Sequence, residues 1–244
     1  KIGDRSDAPA DYTEYISFKV ASTTQNAGTK NKQVTATVDQ VYGTTMEING
    51  TSTQNTDPDQ TVTFSIKITN DEGNGDDTVS YSHSGSGIDD WSLVYDASSK
   101  LDPDETDEVG VSITPDINAL AGVKSINFIG TSEDGQTKSS VTINVRVNKL
   151  PDLNVVTVGS SGQDVEAGKR IYYSFSVTNK GNAVDSFDIE IVNDTWYAAG
   201  WEASLDTEEI SNLDVDEIIN LTDVLVIRAP NNAAADDEAT IKVK

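Results

Sequence analysis

The side chains that could carry acid–base or nucleophilic chemistry are few. His83 is the only histidine of the 244-residue chain, and there is no cysteine. These residues cannot assemble the usual zinc sites, and no nucleophile-elbow motif surrounds a serine that His83 might activate. The residue 109 positions after His83 (192 minus 83) is the apolar Val192. The sequence therefore predicts a packing or surface role for His83 and a chain that is not an enzyme.

Aspartates are the remaining candidates for metal chemistry, because calcium prefers oxygen ligands. Residues 70–77 read Asn-Asp-Glu-Gly-Asn-Gly-Asp-Asp, similar to a calcium loop, but Tyr81 stands where such a loop places its glutamate. Asp-Pro-Asp segments at 57–59 and 102–104 also suit plain turns, since proline sets φ and aspartate caps the backbone. A solvated acidic surface is the favoured alternative to a calcium site, and no other cofactor is expected. The candidate ligands are Asp57, Asp59, Asp71, Asp76, Asp102 and Asp104.

Two kinds of aromatic residue can be distinguished by their spacing. Trp91 and Trp201 lie 110 positions apart (201 minus 91), which predicts equivalent places in a core. Trp196 and Tyr197 have no such counterpart and lie in a predicted loop. An exposed aromatic pair stacks on sugars or anchors a protein partner. A loop folded back on the core is the favoured alternative for this pair.

Three Asn-x-Thr sequons begin at Asn49, Asn193 and Asn220. In an exported protein such sequons accept glycans. A chain this rich in Ser, Thr and Asn also produces them by chance, so the three asparagines are candidate sites only.

The charge of the chain restricts its partners. It has 41 acidic and 17 basic residues, a net charge of −24 and a pI near 4.1. Such a field repels nucleic acid and anionic membranes and attracts basic partners. It also favours solubility in high salt, which suggests a halophilic or marine source. The longest apolar runs, such as residues 224–227, are too short to cross a bilayer, so no direct membrane insertion is expected.

The elements that position these residues repeat along the chain. Residues 173–179 nearly reproduce residues 64–70 at an offset of 109 (179 minus 70), and residues 125–132 match 15–22 at an offset of 110. Apolar and polar residues alternate with a period of two, which is typical of strands. A repeat of this length matches one sandwich. The sequence predicts an all-β fold of tandem immunoglobulin-like, seven-strand Greek-key β-sandwiches.

The alternation also predicts the domain organisation. Residues 1–40 supply the last two strands of a preceding repeat, or a donor-strand segment; residues 41–149 form a full repeat; residues 150–244 form a repeat that lacks its final strand. These incomplete ends suggest a piece of a longer protein. The predicted strands lie near 12–22, 32–39, 41–49, 60–70, 77–84, 91–95, 106–114, 123–132, 139–148, 153–159, 170–179, 185–192, 201–205, 217–228 and 239–244.

Residues 150–156, Glu166 and residues 177–183 resemble the CARDB-type repeats of archaeal and bacterial surface proteins. The shared features are a Pro-Asp-Leu-x-Val opening strand, an acidic-Gly turn and a strand that ends in Asn-x-Gly. The resemblance implies an immunoglobulin-like sandwich in an exported, multi-domain cell-surface protein. The family brings no shared catalytic residues.

The functional hypothesis is a non-catalytic extracellular structural or adhesive segment of a cell-surface, stalk, S-layer or filament protein. Its expected partners are neighbouring repeats or copies of itself, joined by strand complementation in which residues 30–40 of one copy fill the open edge of the next. Two alternatives stay open. One is a module that binds a surface glycan or protein through Trp196 and Tyr197, and the other is an accessory region of a secreted enzyme.

Overall fold

The computed structural model describes residues 9–21, 29–192 and 199–244, and the fold of these residues is all-β. Within those ranges no helix is long and apolar enough to cross a membrane. The strands are β1 (Thr13–Val20), β2 (Lys30–Thr37), β3 (Thr45–Ile48), β4 (Thr53–Thr56), β5 (Val62–Thr69), β6 (Asp77–Gly85), β7 (Ser92–Val94), β8 (Ser98–Leu101), β9 (Thr106–Thr114), β10 (Gly122–Thr131), β11 (Lys138–Val147), β12 (Leu153–Val158), β13 (Arg170–Asn179), β14 (Asp185–Asp188), β15 (Ile191–Val192), β16 (Glu202–Leu205), β17 (Glu209–Leu213), β18 (Ile218–Arg228) and β19 (Lys242–Val243).

The chain divides into two compact units. Unit 1 contains the residues up to Ile117 and Val123–Val147, and unit 2 contains Asn118–Gly122 and Asn148–Lys244. The described residues of the segment 1–40, which the sequence predicts as a separate fragment, belong to unit 1. The short segment at 118–122 is grouped with unit 2, because it is hydrogen-bonded there.

Unit 1 contains two sheets that enclose one apolar core. The strand order is β3-β5-β9-β7 in one sheet and β4-β11-β10-β6-β8 in the other. Alternate residues of β5 point inward, as the period of two requires, and Phe64, Ile66 and Ile68 are fully buried. Phe128 of β10 and Ile143 of β11 complete the same cluster from the opposite sheet.

Three strands, β4, β8 and β17, lie where the sequence predicts none. β4 has the sequence Thr-Gln-Asn-Thr and carries no apolar residue at all. It is a strand because it pairs in parallel with β11, from Thr53 opposite Asn144 to Thr56 opposite Val147. β8 and β17 are only four and five residues long and are mostly polar. Hydrophobic alternation gives no signal for strands of this kind.

β1 and β2 form an antiparallel hairpin that is a two-stranded sheet of its own. The pairing of Ile16 with Val34 and of Phe18 with Lys32 places these residues on one face, together with Val20. The opposite face carries Tyr15 and Thr35. Both faces of the hairpin are largely exposed.

Unit 2 repeats the first sheet of unit 1 but not the second. The order β12-β13-β18-β16 corresponds to β3-β5-β9-β7, whereas the facing strands form two separate pairs, β14-β17 and β15-β19. The prediction of one strand at 185–192 is wrong, because the chain changes partner there. Ile189 donates to the Glu208 carbonyl, and Glu190 pairs with Lys244. The strand predicted at 239–244 is also shorter, at Lys242–Val243.

Candidate functional site

The Asp-Pro-Asp segments form two tight turns. The Gln60 N–H donates to the Asp57 carbonyl at 3.2 Å, and the Glu105 N–H donates to the Asp102 carbonyl at 3.0 Å. Asp59 and Asp104 have φ values of 59° and 62°. This left-handed region is one that aspartate tolerates better than most residues. The backbone role of these aspartates matches the turn interpretation of the sequence.

Asp71 and Asp76 take part in separate local interactions. Thr45 Oγ1 donates to Asp71 Oδ2 at 2.9 Å. Asp76 pairs with Lys100 at 3.0 Å, and the hydrogen bond from Lys100 holds the pKa of Asp76 below its usual value. Within the described part of the chain, no group of three or more His, Asp or Glu residues is arranged to hold a metal ion. The six predicted ligands lie in two turns and one loop, and of these Asp76 and Asp102 interact with each other.

His83 lies exposed on β6, and its Nδ1 is 2.7 Å from the Tyr95 hydroxyl. The two rings meet edge to face at 5.7 Å. Burial raises the pKa of Tyr95. Trp201 is buried in unit 2, and Trp91 is half-buried against the unit 1 core, as their spacing predicts.

Two of the three sequons are at the described surface. Asn49 is exposed beyond the end of β3, and its Nδ2 donates to Glu108 Oε1 at 3.2 Å. Asn220 is exposed on β18. Asn193, Trp196 and Tyr197 lie outside the described residues.

Asn182, which directly follows the Asn-x-Gly segment at residues 179–181, holds the linker into unit 2. Asn182 Oδ1 accepts the Leu150 N–H at 2.8 Å, and its Nδ2 donates to the carbonyls of Asn148 at 2.9 Å and Ala119 at 3.2 Å. Its own carbonyl accepts the Ala121 N–H at 2.9 Å. We call this arrangement the Asn182 clamp.

The same arrangement exists in unit 1 at Asn74, an offset of 108 (182 minus 74). Asn74 Oδ1 accepts the Val41 N–H at 2.7 Å, and its Nδ2 donates to the Asp39 carbonyl at 3.2 Å. The Ala10 N–H donates to the Asn74 carbonyl at 2.7 Å. This is the Asn74 clamp. Both clamps tie a short incoming linker to a loop that follows it by about 30 residues.

A second, buried asparagine lies a few residues before each clamp asparagine. Asn70 and Asn179 are fully buried, and they donate to the carbonyls of Leu101 and Leu213 at 3.3 and 2.9 Å. Asn179 Oδ1 also accepts the Gly181 N–H at 2.9 Å. Such buried side-chain hydrogen bonds fix the shape of a turn, because breaking them leaves polar atoms without water.

The loops that donate to the clamps share a backbone feature. Asp11 and Gly122, which directly follow Ala10 and Ala121, have φ values of 61° and 139°. Asp236 in unit 2 has a φ of 69° and follows another alanine, Ala235. The sequence predicts this turn only weakly, because the position with positive φ is aspartate in two of these loops and glycine in the third.

Unit 2 contains a groove of about 570 Å³ between its two layers, which we call the open groove. Val155 of β12 lines it and is 52% exposed. The matching residue of unit 1, Met46 (155 minus 46 is 109), is half-buried against the core, where β11 packs on β3. The lining residues are Leu153, Val155, Thr157, Phe175, Val177, Phe187, Asp188, Ile189, Ile210, Leu221, Ile241, Val243 and Lys244.

No protein-family model matches the sequence, and no curated protein matches it. A family 123 glycoside hydrolase from Clostridium perfringens is similar at a TM-score of 0.35 and 9% identity, over 44% of this chain and 27% of that one. A protein of unknown function from Porphyromonas gingivalis W83 is similar at 0.32 and 15%, over 75% and 83%. The secreted serine protease VesC from Vibrio cholerae is similar at 0.31 and 11%, over 82% and 51%. The chain thus spans about a quarter of the hydrolase and half of the protease. These likenesses assign neither a family nor a function.

Proposed function

We propose that this chain is a non-catalytic structural or adhesive segment of an extracellular cell-surface, stalk, S-layer or filament protein. In this proposal it is built from tandem immunoglobulin-like sandwich repeats. Three observations support the proposal: the period near 110 residues, the shared order of the four-stranded sheets, and the resemblance of residues 150–183 to surface-protein repeats. The acidic composition and the exposed sequons at Asn49 and Asn220 suit an exported protein.

The observation that carries the proposal is the repeated clamp. Asn74 and Asn182 each hold a linker with the same set of hydrogen bonds, at matching positions of their units. Free linkers between domains act as flexible tethers, whereas held linkers transmit orientation and load. A geometry that recurs in both units and holds the linker, rather than a cavity, suits a spacer or stalk.

Force–extension measurements on single molecules of the full chain test this function. We expect two separate unfolding events, each lengthening the chain by roughly 300 Å, since about 100 residues extend by about 3.3–3.6 Å each. Unit 2, with its open groove, should unfold at the lower force. A single event for the whole chain, or unfolding without measurable resistance, would contradict the proposal that the chain is a tandem of repeats that bears mechanical force.

A further inference from the structure

We propose that the hairpin of β1 and β2 in one copy of this chain covers the open groove of unit 2 in a second copy. The contact is made by the apolar face that carries Ile16, Phe18, Val20 and Val34. This inference rests on the proposed structural function and names the partner of that function: the chain itself.

The hairpin displays an apolar face with nothing described to cover it. Phe18 is 55% exposed and Val20 71% exposed, although they lie on one face with Ile16 and Val34. A two-stranded hairpin has no core of its own, and it is marginally stable without a further layer. Contiguous exposed apolar surface of this kind marks an interaction site.

The same side chains close the core in unit 1. Ile126 and Phe128 of β10 are the counterparts of Ile16 and Phe18 at an offset of 110, and both are fully buried. There β10 and β11 lie side by side in the sheet that covers β5 and β9. The β1–β2 face is therefore shaped to cover a four-stranded sheet of this type.

The open groove presents such a sheet. Its lining includes Leu153 and Val155 of β12 and Phe175 and Val177 of β13, the strands that correspond to β3 and β5. In unit 1 the corresponding strands are covered by the sheet that contains β10 and β11. In unit 2 Val177 is buried against the facing strands, but Leu153 and Val155 of β12 remain 46% and 52% exposed. This exposed apolar part of the groove matches the apolar character of the hairpin face.

Charge favours the hairpin of another copy as the occupant. Between Tyr12 and Val38 the sequence has three lysines and one glutamate, whereas residues 148–244 have 18 acidic and 7 basic residues. Lys32 lies opposite Phe18 on the apolar face, and the groove lining carries one acidic residue, Asp188, and one basic residue, Lys244. Opposite charge steers the two surfaces together and sets their orientation.

The two surfaces are different, so the contact is heterologous. A heterologous contact that does not close into a ring continues as a head-to-tail chain. The expected assembly is therefore a linear series of copies whose length grows with protein concentration.

Sedimentation velocity and light scattering of the full chain over a range of concentrations test this proposal. We expect concentration-dependent association that is lost in Phe18→Asp and in Val155→Asp, because each places a charge within the contact. Tyr15→Asp, on the other face of the hairpin, and Val156→Asp, on the other face of β12, are matched controls. Val155 and Val156 are 52% and 51% exposed, so neither change removes a core residue.

Mixing the two defective variants distinguishes a specific head-to-tail contact from nonspecific association. The Phe18→Asp chain keeps its groove and the Val155→Asp chain keeps its hairpin face. An equimolar mixture should therefore form dimers and no longer species, although each variant alone stays monomeric.

A wild-type chain that is monomeric at every concentration would overturn the proposal. Equal loss of association in the Tyr15→Asp or Val156→Asp controls would do the same, and so would a mixture that remains monomeric. None of these outcomes changes the force–extension result expected for a tandem of structural repeats, so the failure of the self-contact and the failure of the structural function can be told apart.

Discussion

In unit 1 a five-stranded sheet covers the four-stranded sheet, whereas in unit 2 the same four-stranded order faces two separate pairs of strands. The consequence is visible in the cores. Nearly all the buried apolar side chains described in unit 1 form one cluster, and most of those described in unit 2 form two smaller clusters. The comparison shows that the four-stranded sheet keeps its strand order without a continuous sheet facing it. It also shows that a continuous facing sheet accompanies a single apolar core.

The largest expected effect concerns the closed core. Phe128→Ala removes a fully buried ring from unit 1 and should lower its free energy of unfolding by about 3–5 kcal/mol. Val156→Ala in unit 2, an exposed position, should change stability by less than about 0.5 kcal/mol. Urea unfolding monitored by hydrogen exchange in each unit measures both changes in the free energy of unfolding. A small effect of Phe128→Ala would show that the core of unit 1 is not closed.

An added strand should convert the open unit 2 into a closed one. Adding a copy of residues 130–147 after Lys244 supplies a β11 strand, because Val243 pairs with Ile191 as Phe128 pairs with His83. Each buried Val or Ile contributes about 1.5–3 kcal/mol, so unit 2 should gain roughly 3 kcal/mol or more. The same extension with aspartates in place of its inward Ile143 and Val145 copies is the control. Equal stability of the two extended chains would mean that the groove does not accept a strand.

The clamps should have an intermediate effect. Asn182→Ala removes one acceptor and two donated hydrogen bonds, and it should destabilise unit 2 by about 1–3 kcal/mol. Protease cleavage near residues 148–152 should become faster at the same time. Asn74→Ala is the matched variant and should affect unit 1 instead. Cleavage that stays unchanged in both variants would contradict the role of the clamps in holding the linkers.

The smallest effect is a dependence on pH. The Lys149 ammonium donates to Asp185 Oδ1 at 2.7 Å and holds the pKa of Asp185 below its usual value. The folded chain then binds fewer protons at this site than the unfolded chain, for which the pKa is about 3.9. The stabilisation is therefore complete above that value and is lost as the pH falls through the lowered pKa.

Urea midpoints of unit 2 at pH 6 and pH 3 measure this contribution. The decrease on acidification should be smaller in Asp185→Asn than in the wild type. Asp216→Asn removes a more exposed ion pair, that with Lys180, and serves as the control. An identical decrease in Asp185→Asn and wild type would show that the Lys149–Asp185 ion pair does not cause the dependence on pH.

Much of the architecture follows from alternation in the sequence, and the exceptions have physical causes. β5 and β13 are predicted because their inward residues are large and apolar. β4 is not, because its place depends on pairing with β11, about 90 residues away. The clamps are missed for the same reason: Asn182 follows an ordinary Asn-x-Gly segment, and its partners lie 32 to 63 residues earlier. Local sequence does not encode such distant partners.

Thiol labelling of Met46→Cys and Val155→Cys tests the central difference most directly, because the chain has no other cysteine and these two positions correspond. We expect the thiol at position 155 to react rapidly in dilute protein and to become protected as the concentration rises. The thiol at position 46 should react slowly at every concentration. Equal rates at the two positions in dilute protein would contradict the account of a closed unit 1 and an open unit 2.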